Sequence, residues 1–346
     1  MFEQEESPSF LSSSEQQRNS EQAVQAIRQA VRQDAFERYQ RRKADNTVKR
    51  QKADIALFEK FLEEEGISQQ NLFTDPNAWR IVTFALVEQF VEWQIEQGYA
   101  IGSMNIRLTT IRRYAALACQ VGVLSSDELF LIREVKGFRR VEGRRIDAKR
   151  EVTRVGAKKG EPTRISPTHV ATIKQQLLEE TMRGDTLASR DLLLFVLSAE
   201  HSLRCSELAL LTRDSLDLEA GKIRIYRQKT DRWQLHQMTP SALVAVHWYF
   251  QLCAVEKWLF PGEQPGTGLA TRSIYDRIVA CGKRVGLDHL GPHDLRHYYA
   301  TYSQGDISAL QQAGGWSSPA MPLKYRVEQD IANTGVFVPG QPGWER

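Results

Sequence analysis

Near the C-terminal end, a run of residues is spaced to hold an anion. His293 and Arg296 are three residues apart, so on a helix an imidazole and a permanent guanidinium point at one object. Gly314 and Gly315 break the helix that carries Leu310, and Trp316 follows directly. Its indole N–H is a donor only and can also face an anion. Tyr325 comes nine residues after Trp316, beyond the breakers Pro319 and Pro322. Its phenol is the candidate nucleophile.

This order and spacing resembles the catalytic end of the tyrosine recombinases, the phage and plasmid integrase family. There His-x-x-Arg precedes a Gly-His or Gly-Trp pair and then the nucleophilic tyrosine. The run Gln312-Ala313-Gly314-Gly315-Trp316 is most similar to Cre-like members, which carry Trp in place of the second His. One departure is a shorter piece between Thr301 and Asp306, which trims a helix without moving these side chains. The resemblance implies a second arginine and a lysine upstream. Ala199 to Leu208 resembles the family's Thr-Gly-Leu-Arg-x-x-Glu-Leu box, with Glu200 and His201 standing where Thr-Gly is common. Arg204 is then the first arginine and Glu207 the carboxylate that holds the site together.

Gly221 to Tyr226 alternates like a strand, and Trp233 to Met238 can answer it across a turn at Lys229-Thr230-Asp231-Arg232. The family's mobile lysine sits on such a hairpin, which makes Lys229 the candidate and Arg232 the second choice. In isolation each residue has a plainer reading. His-x-x-Arg is ordinarily a surface pair, Trp316 core, Tyr325 packing, and Arg204 with Glu207 a helix ion pair. His236, His289 and His297 are read as structural or surface residues. It is the joint order that carries the inference.

The chemistry fits these residue types. Attack on a phosphodiester puts charge on the non-bridging oxygens, which the planar forks of Arg204 and Arg296 match bidentately. A phenol with a pKa of about 10 needs its charge stabilised, which His293 and the arginines can do. Lys229 can protonate the leaving 5′-oxygen. A covalent 3′-phosphotyrosine conserves the bond energy, so neither ATP nor a metal or other cofactor is expected.

The elements that must position these groups fall into two domains. The chain has 346 residues, 41% hydrophobic and 26% charged, as in a soluble globular protein. Lysine plus arginine exceeds aspartate plus glutamate by 46 − 43 = 3, too little by itself to identify a polyanion partner. Four scattered cysteines, Cys119, Cys205, Cys253 and Cys281, indicate neither a zinc site nor a disulfide framework. No signal-like or membrane-length apolar stretch is present, so a cytoplasmic, nucleoid-associated protein is expected, with no membrane partner.

Residues 1–45 read as an N-terminal extension, partly disordered. Apolar periodicity over 46–137 predicts a small all-helical domain of four helices. The resemblance makes it the SAM-like core-binding module that lies across the duplex from the catalytic domain. Arg107, Arg112 and Arg113 lie on one of its helices and would ordinarily be a solvated face. Residues 138–165 read as a flexible basic linker, including Arg139, Arg140, Arg144, Arg145 and Arg150, suited to a DNA backbone. Neutralising Arg144, Arg145 and Arg150 is expected to flatten the salt dependence of binding. Residues 166–326 form the catalytic domain, mainly α with a small antiparallel sheet, and 327–346 a tail that docks on an adjacent protomer.

The expected function is a site-specific recombinase that cleaves and rejoins double-stranded DNA, as a homo-tetramer on two sites, with accessory or directionality proteins as further partners. A type IB-like topoisomerase shares the chemistry. A catalytically inactive DNA-binding accessory protein shares the fold.

Overall fold

A computed structural model describes residues 34–151 and 163–326, except the side chains of 324–326, with a few single positions before 34. The chain divides into two compact units, residues 1–159 and 160–346. The first is helical throughout its described part: α1 (Ala35–Arg41), α2 (Asp45–Glu64), α3 (Phe84–Glu96), α4 (Ile101–Gln120), α5 (Ser126–Glu134) and α6 (Arg140–Lys149), with a 3₁₀ turn at Pro76–Ile81.

Side-chain caps fix several of these helix starts. Thr83 and Ser125 accept from the N–H groups of Leu86 and Glu128, so α3 and α5 begin where two otherwise unpaired donors are satisfied. The core is aromatic. Phe58, Phe61, Phe90, Trp79 and Tyr114 are fully buried, and the Phe58 and Phe90 rings meet edge to face at 5.0 Å.

Two expectations for this unit are corrected. The folded part begins ahead of residue 46, because α1 inserts Phe36 into the core, edge-on to Tyr114 at 5.0 Å. One fully buried aromatic side chain on a short helix is enough to anchor it. The stretch 138–165 is not irregular throughout. Within it, α6 is a helix whose Gly143 is buried, where an added Cβ would come within 3.0 Å of the Ile101 side chain of α4. Asn105 ties the entry to α6 by exchanging two hydrogen bonds with Phe138, at 2.8 and 2.9 Å. Residues 152–162 of the expected linker lie outside the described residues, as do most of 1–33 and all of 327–346.

The second unit packs α7 (Pro167–Met182), α8 (Thr186–Glu200), α10 (Pro240–Leu252), α11 (Thr271–Lys283) and α12 (Pro292–Tyr302) around one core. Helix α8 runs through its middle, with every residue from Leu192 to Ala199 buried. Buried Asp191 of α8 pairs side-on with Arg277 of α11, accepting from its Nε and Nη2. Arg284 grips Glu180 of α7 bidentately at 2.7 and 2.8 Å. The short α9 (Cys205–Leu208) follows α8. A three-stranded antiparallel sheet comes next, β1 (Leu216–Asp217), β2 (Lys222–Arg227) and β3 (Arg232–Gln237), in the order β1-β2-β3. The β2–β3 register pairs Arg227 with Arg232, so the turn is Gln228 to Asp231, one residue ahead of the expected one. Helices α13 (Ile307–Gly314) and α14 (Ala320–Arg326) close the unit beside α12.

Candidate active site

Four segments of the second unit meet at buried arginines: the turn after α8, the end of β2, the middle of α12 and the C-terminus of α13. The turn is built on Ser202, whose φ of +55° is left-handed, a conformation that costs a side-chain-bearing residue roughly 1 kcal/mol. Ser202 directly precedes Leu203-Arg204. His201 and Ser202 therefore stand in the Thr-Gly position, not Glu200 and His201, and the left-handed backbone explains why glycine is common there.

Glu207 is the centre of the cluster. Its carboxylate accepts from the Arg204 backbone N–H at 2.9 Å, the Arg204 guanidinium at 2.6 Å and the Arg227 guanidinium at 2.6 Å. Burial alone pushes this carboxyl up. The charge of Arg227, then the Arg204 backbone and side chain, outweigh burial and hold it below the usual carboxylate range. Glu207 is therefore an anion at neutral pH, with Arg204 pinned to it.

Arg227, which the sequence reading did not single out, is completely buried. Besides Glu207 it donates to Gln234 Oε1 at 2.8 Å and to the Ala313 carbonyl at 2.7 Å. A signal for it exists in the sequence. Arg227 has the same strand parity as Ile223 and Ile225, which are buried, so the period of two places it inward.

Arg296 is also buried. It donates to the carbonyls of Ser202 and, at 2.9 Å, of Gly314, with its guanidinium 5.0 Å from the centre of the Trp316 ring. Arg204 reaches the Gly315 carbonyl at 3.4 Å. Three guanidiniums thus converge on the carbonyls of Ser202 and residues 313–315, and two of them, Arg204 and Arg227, share the single Glu207 carboxylate. Planar guanidiniums gathered in this way match the non-bridging oxygens of a phosphodiester.

The two glycines are required by this convergence. Gly315 caps α13 at φ +60°, with Gly315 N–H bonded to Gln312 O and Trp316 N–H to Gln311 O, the Schellman arrangement. A Cβ at Gly315 would sit 2.8 Å from the Arg227 side chain, and one at Gly314 would fall within the Trp316 ring. Trp316 is 8% exposed and belongs to a small cluster with Ala300, Leu310 and Tyr299. Its ring supports Arg296 in addition to any role for its N–H.

The remaining expected site residues lie nearer the surface. His293 is exposed in the first turn of α12, its ring edge-on to His297 at 4.7 Å. Lys229 is exposed in the hairpin turn, two residues beyond Arg227. Tyr325 lies on α14, which packs beside α12 and α13; its side chain is outside what is described. Among the described residues, no group of three or more His, Cys, Asp or Glu could hold a metal ion, and no helix is long and apolar enough to cross a membrane.

Behind the cluster, His201 and His236 sit 5.7 Å apart. Burial lowers His201 to about 4, and burial followed by Arg227 lowers His236 to about 3. Both are neutral in the folded protein at pH 7, whereas an unfolded chain protonates them below about pH 6.5. Between roughly pH 6.5 and 4 the unfolded state binds more protons, so stability falls as the pH falls. Thermal unfolding across this window is expected to show that loss, smaller in His236→Gln. An identical pH profile in the variant would remove His236 as its source.

In the first unit the expected DNA-contacting arginines divide. Arg107 stacks 4.4 Å from the Tyr99 ring centre and donates to Gln94 at 3.1 Å, with burial lowering its pKa. Arg112 is half-buried, with no hydrogen-bond partner for its Nε. Arg150, expected in the open linker, is an internal clamp. Its side chain is 8% exposed and binds Asp147 at 2.6 Å and the Tyr99 carbonyl at 2.8 Å, because α6 folds back on the helical unit. Arg113, Arg139, Arg140, Arg144 and Arg145 are exposed.

A helical unit followed by an α+β unit with a small antiparallel sheet is the fold of solved integrase-type recombinases. Among solved structures, a lambda integrase dimer bound to a COC′ core site aligns with a TM-score of 0.54 at 14% identity, over 85% of this chain and 76% of that one. XerH site-specific recombinase bound to palindromic difH substrate aligns at 0.56 and 16%, over 80% and 74%. At those identities the likeness establishes the fold. Residues 171–330 match the phage integrase family. Tyrosine recombinase XerC of Azotobacter vinelandii is 26% identical over 307 residues, 87% of each chain, and XerD of Shewanella oneidensis 24% over 267, 75% of this chain and 77% of that one. The second unit therefore carries a phage integrase family domain, and the chain as a whole is similar to the tyrosine recombinases XerC and XerD. The narrower likeness to Cre rests on Trp316.

Proposed function

We propose that the protein is a site-specific DNA recombinase that breaks and rejoins double-stranded DNA through a 3′-phosphotyrosine at Tyr325. The observation that carries this reading is that Arg204 and Arg227 share one carboxylate while they and Arg296 all donate to the carbonyls of one glycine cap. The match to the phage integrase family points the same way and favours neither the topoisomerase nor the accessory-protein reading. Arg204 and Arg296 take the non-bridging oxygens, His293 and Trp316 complete the oxyanion contacts, and Lys229 on its exposed turn protonates the leaving oxygen. Arg113, Arg139, Arg140, Arg144 and Arg145 contact the backbone. Four protomers on two sites, each using its own tyrosine, with accessory proteins setting direction, complete the reading.

The test is a nicked duplex carrying the protein's own flanking DNA, from which the broken strand end diffuses away. A denaturant-resistant protein–DNA complex supports the proposal. Its absence on the true site favours a non-catalytic DNA-binding protein, and relaxation of plasmids without site preference favours a topoisomerase.

A further inference from the structure

The β2–β3 hairpin has two unlike faces. Ile223, Ile225 and Arg227 are buried, so Lys222, Arg224 and Tyr226 point outward, opposite Gln237, Leu235 and Trp233 in register. Trp233 is 58% and Leu235 62% exposed, unusual for large apolar side chains on a sheet. The Arg224 guanidinium lies 4.3 Å from the centre of the Trp233 ring, and the Tyr226 ring is 5.1 Å from it. Asp231, the one acid between residues 222 and 237, is engaged by the Tyr226 hydroxyl at 2.5 Å. Arg224 is exposed, and among the described residues no carboxylate pairs with it.

A guanidinium stacked on an indole is held in one plane while its N–H donors remain at its edge, so less rotamer freedom is lost when an anion binds. Lys222 and Arg224 on this face, with the hairpin's single acid already engaged, make it complementary to a polyanion. We propose that the outer face of the hairpin is a separate grip on the DNA backbone, in which Trp233 presents the Arg224 guanidinium to one phosphate. The grip rests on the DNA reading above but lies on the opposite face of the sheet from the buried arginine cluster. Trp233 acts through Arg224, as a positioning residue.

The experiment titrates the full-length protein with a labelled duplex over a series of salt concentrations, using wild type, Arg224→Gln, Trp233→Leu and the double variant. Arg224→Gln is expected to weaken binding by about tenfold and to lower the slope of log affinity against log salt by about one. Trp233→Leu should weaken binding in the wild-type background and have little effect in the Arg224→Gln background, the signature of a residue acting through another. Wild-type affinity and slope in Arg224→Gln would overturn the grip. So would a Trp233→Leu loss of equal size in both backgrounds, or variants that change only protein self-association. The nicked-duplex assay separates the two readings: a wild type that forms the adduct while Arg224→Gln binds normally loses only the grip, whereas a wild type that neither forms an adduct nor binds duplex loses the function as well.

Discussion

Tyr325→Phe is expected to abolish the covalent complex with nicked DNA, a loss on the order of a thousandfold or more in rate, while leaving duplex affinity within about twofold of wild type. Phenylalanine keeps the ring and removes only the oxygen that would form the phosphotyrosine bond. Helix α14 begins where the Ser318 hydroxyl accepts from the Ala320 N–H at 3.2 Å, and it packs beside the helix that carries His293 and Arg296. The measurement is denaturing electrophoresis of the reaction mixture beside a binding titration on the same preparation. An adduct that persists in Tyr325→Phe reassigns the nucleophile, and a parallel loss of binding shows that the variant has damaged more than chemistry.

The second large effect is expected at Glu207. Its side chain is 1% exposed and that of Arg227 is 0% exposed. Removing the carboxylate leaves Arg227 buried without its counter-ion and frees Arg204 from the bond that orients it. Breaking a buried pair in this way costs about 3–5 kcal/mol. For a unit of this size that lowers Tm by roughly 10 °C. Glu207→Ala is therefore expected to destabilise strongly and lose adduct formation together. The double variant Glu207→Met with Arg227→Met should recover a large part of the stability, because no unpaired charge is then buried, but not the activity, since Arg204 remains unanchored. Calorimetry on the single and double variants checks the first statement and the nicked-duplex assay the second. If the double variant were less stable than Glu207→Ala, the cost would lie in packing and not in the unpaired charge.

Both effects depend on how a few residues that are distant in sequence come to share carbonyl groups. Ser202 O accepts from Arg227 and Arg296, which lie 25 and 94 residues away. The carbonyls of Ala313, Gly314 and Gly315 each take a different arginine. The glycine cap is therefore the place where three separate segments are referenced to one another. Its rigidity follows from the left-handed Gly315 and from the ring of Trp316 lying over Gly314.

The sequence alone was enough to place His293 and Arg296 on one helix face, Lys229 on a hairpin turn and a glycine pair ahead of Trp316, whereas Arg204 and Glu207 were singled out by the resemblance to the family's arginine box. It could do so because caps, breakers and strand alternation are local properties of the chain. The division into a helical unit and an α+β unit was readable from periodicity for the same reason. Tertiary structure alone decided the rest. Arg227 became part of the site because a strand carried it to Glu207, 20 residues away. Arg150 became an internal clamp because α6 folds onto α4, and Phe36 joined the core because Tyr114 offered it a face. A charge in a basic run and an apolar residue in a polar extension look the same whether solvated or buried, since burial is fixed by what the rest of the chain places opposite them.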